Sequence, residues 1–154
     1  MDEMTRLVHE RVCESLIYQY VRMVDFGEAS RLADLFTEDG VWEAEGLTLE
    51  GREMIRAHFA KREAVVRRVS RHYCTNVDIE VTSDTQAQGL SYFMNFRHDR
   101  AEGDLSLPVP ISLPKYSGEY HCSFARTDSG WQFRRLHVDV TFLRPPNTPQ
   151  VATL

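Results

Sequence analysis

Three residues of this sequence are of types that move protons, and their spacing can bring them together. Asp25 lies five residues after Tyr20 and one helical turn beyond Val21. At about 100° per residue, Leu16, Ile17, Tyr20, Val21 and Val24 sweep half of a helix surface, and Asp25 stands at its edge. A carboxylate on such a boundary needs a hydrogen-bond partner. The competing reading is an ordinary helix-end acid ahead of Gly27. Tyr20 lies inside the stripe, as a core ring or as a phenol whose hydroxyl requires a partner. His72 opens a long alternating segment, on the face opposite Tyr73, Thr75 and Val77. If that face looks inward, the imidazole meets the end of the first helix. An imidazole bonded to a carboxylate is a general base of fixed tautomer; a structural strand histidine is the alternative. The expected separation of the two side chains is roughly 2.6–3.2 Å, or one bridging water.

Other reactive residue types are more dispersed. His121, His137 and Asp139 make a two-histidine, one-carboxylate set arithmetically available. No tight ligand spacing accompanies them, so no metal is expected. Cys13, Cys74 and Cys122 are widely spaced with no Cys-x-x-Cys, which reads as buried thiols in a reducing compartment. No nucleophile elbow, phosphate-binding loop or dinucleotide fingerprint is present, and no cofactor is expected.

The elements that must position these residues follow from periodicity. Apolar three- and four-residue steps predict a helix over Thr5–Val24, a short second one over Glu28–Phe36, and a third over Glu53–Val69 through Ile55, Phe59, Val65, Val66 and Val69. Thr37-Glu38-Asp39-Gly40 reads as a turn. Val41–Ala44 and Leu47–Leu49 read as a small strand pair. Alternation then predicts strands over Arg71–Thr82, Gln86–Arg97, Tyr116–Thr127 and Trp131–Leu143, with a hairpin at Asp128-Ser129-Gly130. Asp99–Pro114 is a long Pro-bearing connection, and residues 144–154 read as an irregular tail. Helices first and long strands after is α+β segregation.

The 154 residues fit one domain. The net charge of −5 argues against a nucleic-acid partner, and the Arg67-Arg68 pair with Arg71 reads as a solvated helix end. No apolar run is long enough for a membrane span, and the acidic start lacks a signal core, so a cytoplasmic location is expected.

Taken in order, several segments carry a resemblance. They are Tyr20-x4-Asp25, Gly27-Glu28, Leu35-Phe36-Thr37-Glu38-Asp39-Gly40-Val41-Trp42-Glu43, Arg71-His72-Tyr73-Cys74-Thr75-Asn76-Val77 and Gly130-Trp131-Gln132-Phe133-Arg134-Arg135. Over roughly residues 5–143 this series resembles the SnoaL-like branch of the nuclear-transport-factor-like superfamily. The aspartate-then-histidine pattern resembles its lyases of the scytalone dehydratase, bile-acid 7α-dehydratase and hexachlorocyclohexane dehydrochlorinase type. The resemblance implies a cone-shaped α+β barrel, three N-terminal helices packed in a strongly curved, mostly antiparallel sheet. It gives His72 the role of base, Asp25 that of orienting group and Tyr20 that of proton donor to an oxyanion. Arg135, with Arg134 as the alternative, is expected to face the pocket, and His121 to match a second strand histidine.

The resulting expectation is a cofactor-independent dehydratase or dehydrohalogenase acting on a small apolar cyclic compound. Trp42, Phe59, Phe93 and Phe142 are the expected walls, since such pockets are largely apolar. An isomerase or polyketide-type cyclase using the same pair is one alternative. A non-catalytic ligand-binding or subunit-packing domain, with the Asp25–His72 pair absent or plugged, is another. Apolar residues on both strand faces predict a homodimer or homotrimer.

Overall fold

The computed structural model describes residues 1–100, 102–103, 105–110 and 113–146. Part of the 99–114 connection and most of the expected tail therefore lie outside the described residues. Helix α1 spans Glu3–Asp25. Asp2 caps its start, accepting the Thr5 N–H at 3.0 Å and the Thr5 hydroxyl at 2.6 Å. The buried face is Cys13, Leu16, Ile17, Tyr20, Val21 and Val24, the stripe set by the three- and four-residue steps. Gly27 stops the helix at φ +79°, a conformation that costs a residue without Cβ little.

The helices do not all precede the strands. A 3₁₀ helix, Ala29–Leu35, leads into β1 (Phe36–Ala44) and β2 (Leu47–Glu50), and only then comes α2 (Arg52–Glu63). Thr37–Gly40, expected as a turn, lies within β1, where the pairing with the last strand shifts register between Phe36 and Val41. Turn-forming residues are here absorbed by a strand irregularity. The third helix also ends earlier than its apolar steps suggest. Val65 and Val66 are exposed in the turn after Glu63, and Val69 already belongs to β3 (Arg68–Val81). β-branched residues near the end of a helical pattern serve a strand equally well.

The sheet is completed by β4 (Gln86–Asp99), β5 (Tyr116–Thr127) and β6 (Gly130–Leu143). Its order is β2-β1-β6-β5-β4-β3, so it does not close on itself. Among the described strands only the β1–β6 contact is parallel. α1 and α2 cover one face. There Phe133 packs between Phe36 and Phe124, at ring separations of 5.2 and 5.0 Å. Ile17, Leu32, Ile55 and Leu136 fill the space around them. Each such side chain contributes roughly 1.5–3 kcal/mol by leaving water.

Strand irregularities decide which residues face this core. Tyr73, Thr75, Val77, Ile79 and Val81 do not share one face as simple alternation expects. Asn76 adopts φ 51° and the β3–β4 register shifts between Thr75 and Asp78. Ser70, His72 and Cys74 point inward before this bulge; after it Val77, Ile79 and Val81 do. The second bulge lies in β6, where Ser117 pairs with Phe142 but Gly118 with Val140. The bulged strand comes so close to Gly118 that a Cβ there would collide with the Asp139 carbonyl oxygen. The inward run Leu136, Val138, Val140 ends at this point, and Phe142 is turned outward.

Candidate active site

The end of α1 and the start of β3 meet at Asp25 and His72. Asp25 Oδ1 lies 2.7 Å from His72 Nδ1, and the two side chains are only 5 % and 15 % exposed. The His72 backbone N–H donates to the other carboxylate oxygen at 2.7 Å. The imidazole is thus held by its own main chain as well as by its ring. Because a carboxylate only accepts, Nδ1 carries a hydrogen, and in the neutral ring the lone pair is then on Nε2. That is the form of histidine that can remove a proton.

Residues that periodicity did not single out complete the carboxylate's surroundings. Ser70, 2 % exposed and two positions before His72 on the same strand face, donates its hydroxyl to Asp25 Oδ1 at 2.8 Å. Arg62, from the last turn of α2, donates to the Ser70 hydroxyl at 3.1 Å. The Arg71 guanidinium lies 4.4 Å over the Phe26 ring and donates to the Asp25 carbonyl at 3.4 Å, at the negative end of the α1 dipole. Burial pushes the Asp25 carboxyl upward. The His72 ring and N–H and the Ser70 hydroxyl outweigh it and hold the group below the usual carboxylate range.

A run of packed aromatic rings begins beside the imidazole. Phe93 lies 6.5 Å from the His72 ring and stacks on Tyr120 at 4.5 Å. Tyr120 meets the edge of Tyr20 at 5.7 Å. The Tyr20 hydroxyl accepts from Trp42 Nε1 at 3.0 Å, which leaves its own proton available to an acceptor. Burial raises both the Tyr20 and Tyr120 phenols well above their ordinary value, so both stay protonated. Trp42 and Phe59 pack edge to face at 5.3 Å beside them. Asn95, the cross-strand neighbour of His72, is a further buried polar group. Tyr120 was legible in principle from the inward period Gly118, Tyr120, Cys122, Phe124. Asn95 needed the strand register. Burial pushes the Cys13 and Cys74 thiols up to about 12, and Cys122 higher still, which keeps them out of the thiolate form.

Asp25, His72, Tyr20, Trp42, Phe59 and Phe93 therefore gather on the concave side. Four other candidates do not. His121 is exposed on the outer face, 6.2 Å from the His137 ring. Arg135 is on that face too, paired with Glu43 at 2.9 Å, and Arg134 is exposed and paired with Asp39. The register shift between Ser123 and Phe124 gives β6 an extra residue there, so neither arginine turns inward. Phe142 is 69 % exposed, for the reason given above.

The model of the SnoaL-like domain family matches residues 5–137. No curated protein matches the sequence. Similar solved structures include a scytalone-dehydratase-like protein from Novosphingobium aromaticivorans, 22 % identical with a TM-score of 0.78, covering 97 % of this chain and 95 % of that one. An NTF2-like protein with a cystatin-like fold from the same organism is 22 % identical with a TM-score of 0.71, covering 90 % and 86 %. The hexachlorocyclohexane dehydrochlorinase of Novosphingobium barchaimii is 21 % identical with a TM-score of 0.72, covering 99 % and 100 %. At these identities the likeness speaks for the cone-type α+β fold. Among the described residues no helix is long and apolar enough to cross a membrane.

Proposed function

The chain belongs to the SnoaL-like family, and on that premise we propose that it is a cofactor-independent lyase acting on a small, mostly apolar ring compound. The 2.7 Å contact between Asp25 and His72 Nδ1 carries this reading. It leaves Nε2 as the base, with Phe93 the aromatic ring beside it. His72 removes a proton from the carbon beside an electron-withdrawing group. The electron pair forms the new double bond, and hydroxide or halide leaves from the neighbouring carbon with its bonding pair. For a hydroxide leaving group, the proton on His72 returns to it as water. Asp25 stabilises the imidazolium. Tyr20, its oxygen already engaged by Trp42, donates to the oxygen that gains charge. An oxyanion donor of this kind is worth about 2.7–4 kcal/mol. The scytalone-dehydratase-like and dehydrochlorinase neighbours fit elimination chemistry on this scaffold.

The test is a panel of cyclic β-hydroxyketones and halogenated rings, with products read by mass. Loss of water or hydrogen halide is expected. A product of unchanged mass would replace elimination with isomerisation. Saturable binding of every compound without turnover would return the chain to a ligand-binding role.

The outer face supports self-association. Tyr73, Tyr92, Met94 and Phe142 are exposed there, and a groove of about 560 Å³ runs past Val69, Tyr73, Met94, Phe96 and Val109. Apolar surface of this extent on a sheet favours a homodimer or homotrimer. Light scattering at micromolar concentration is expected to give two or three times the chain mass; a monomer would refute it.

A further inference from the structure

We propose that Ser70 and Arg62 form a positioning arm that fixes the Asp25 carboxylate and restrains its pull on His72. The inference deepens the reading of His72 as the base. It starts from which groups can donate. A guanidinium only donates and a carboxylate only accepts. The Ser70 hydroxyl lies between one of each, 3.1 Å from Arg62 Nη2 and 2.8 Å from Asp25 Oδ1. Its single proton must therefore point at Asp25. The chain of bonds runs one way, from Arg62 through Ser70 to the carboxylate, and each bond polarises the next.

The arm ends on Oδ1, the same oxygen that His72 Nδ1 uses, rather than on the free edge of the carboxylate. Ser70 and the imidazole compete for one acceptor. Oδ2 is already taken by the His72 main chain. Asp25 thus cannot rotate, and Ser70 draws electron density from the oxygen that faces the base. The arm also ties this setting to α2. In the same turn, the Glu63 carboxylate accepts the Ser30 N–H at 2.9 Å, so the helix end that delivers Arg62 is fastened to the 3₁₀ helix.

Other groups near this network are occupied differently. Arg68 and Arg97, beside Arg62 at the same end of β3 and β4, pair with Asp99, and Arg71 donates to main-chain carbonyls. Cys74, Tyr20 and Tyr120 face Asp25 from β3, α1 and β5 and remain protonated. Arg62 is the cation that a hydrogen-bond path through Ser70 joins to the carboxylate.

The experiment is an NMR titration of the full chain without substrate. It follows the Asp25 carboxyl carbon and the His72 Nδ1 proton in the parent, Ser70→Ala, Arg62→Met and Arg62→Lys proteins. Removing either arm residue is expected to raise the Asp25 midpoint by about half a pH unit or more, since a nearby donor or cation favours the charged carboxylate. The Nδ1 proton resonance should persist and move downfield as Ser70 ceases to compete. Arg62→Lys, which keeps the charge, should stay nearer the parent than Arg62→Met. An unchanged Asp25 midpoint in Ser70→Ala would overturn the arm. So would disappearance of the Nδ1 resonance in that variant, because Ser70 would then be holding the pair together rather than restraining it. A parent protein lacking that resonance would overturn both the arm and the Asp25–His72 pair. The titration needs no turnover, so a failure to find a substrate bears on the proposed lyase and leaves this result standing.

Discussion

Replacing His72 by alanine is expected to remove turnover, by about 10²–10⁴-fold in kcat, while leaving the fold in place. With Asp25 on Nδ1, the imidazole is left with one nitrogen that can take a proton. Tyr20 and Tyr120 are kept protonated by burial, and so are the Cys74 and Cys122 thiols. Asp25 is the remaining candidate base. It already receives the Ser70 hydroxyl, the His72 ring and the His72 N–H, and it is held ionised below the ordinary range. A carboxylate so satisfied is a poor proton acceptor. The folded state should tolerate the change because His72 keeps its backbone N–H bond to Asp25 whatever its side chain. The measurement is steady-state kinetics beside a denaturant melt, on whichever ring compound the panel identifies. A His72→Ala enzyme of parental kcat would eliminate the mechanism. So would an Asp25→Asn enzyme that is markedly more impaired than His72→Ala, for that order marks the carboxylate as the base.

Much of this arrangement was written in local periodicity, and the parts that were not have physical causes. The α1 stripe placed Tyr20 and Asp25 because a regular helix carries its 3.6-residue repeat to its last turn. His72 was legible as lying opposite Tyr73, and that face turns inward because β3 alternates without interruption from Ser70 to Cys74. Phase was lost wherever a strand took an extra residue. Asn76 reversed the remainder of β3, the Gly118–Val140 bulge reversed Phe142, and the shift near Ser123 kept Arg134 and Arg135 outside. A bulge leaves hydrophobic alternation intact on either side, so a sequence shows two good half-strands and no sign of the slip between them. His121 failed differently. It lies between the buried Tyr120 and Cys122 and so alternates regularly, but the phase of β5 turns it outward. The relay residues escaped for another reason. Ser70 and Arg62 are eight positions apart on different elements, and only the path of the short connection from Glu63 to Arg68 makes them neighbours.

Asp25→Asn is expected to cost about as much activity as losing the base, although the substitution is nearly isosteric. The reason is donor counting. In the parent, Oδ1 receives two hydrogen bonds and Oδ2 receives one. An asparagine must place an NH2 at one of these positions. With the NH2 in place of Oδ2, it faces the His72 backbone N–H, donor against donor. With the NH2 in place of Oδ1, it donates to His72 Nδ1 and drives the hydrogen onto Nε2, the nitrogen that must stay free. It also meets a Ser70 hydroxyl that Arg62 prevents from turning away. The first orientation leaves buried donors unpaired, at about 1–3 kcal/mol. The second preserves packing but inverts the tautomer, which in serine-protease triads costs about 10⁴-fold in kcat. Either way the variant loses turnover, and stability should record which orientation wins. The pH dependence separates this from general damage. The Asp25 carboxyl is held below its unfolded value, so it contributes stability above that value and loses it as pH falls through the folded value. Asp25→Asn should therefore flatten the acid limb of a stability–pH profile as well as lower its plateau. A variant with parental kcat would show that the carboxylate at position 25 does not orient the imidazole, and one whose acid limb keeps the parental slope would show that it does not carry the charge assigned to it.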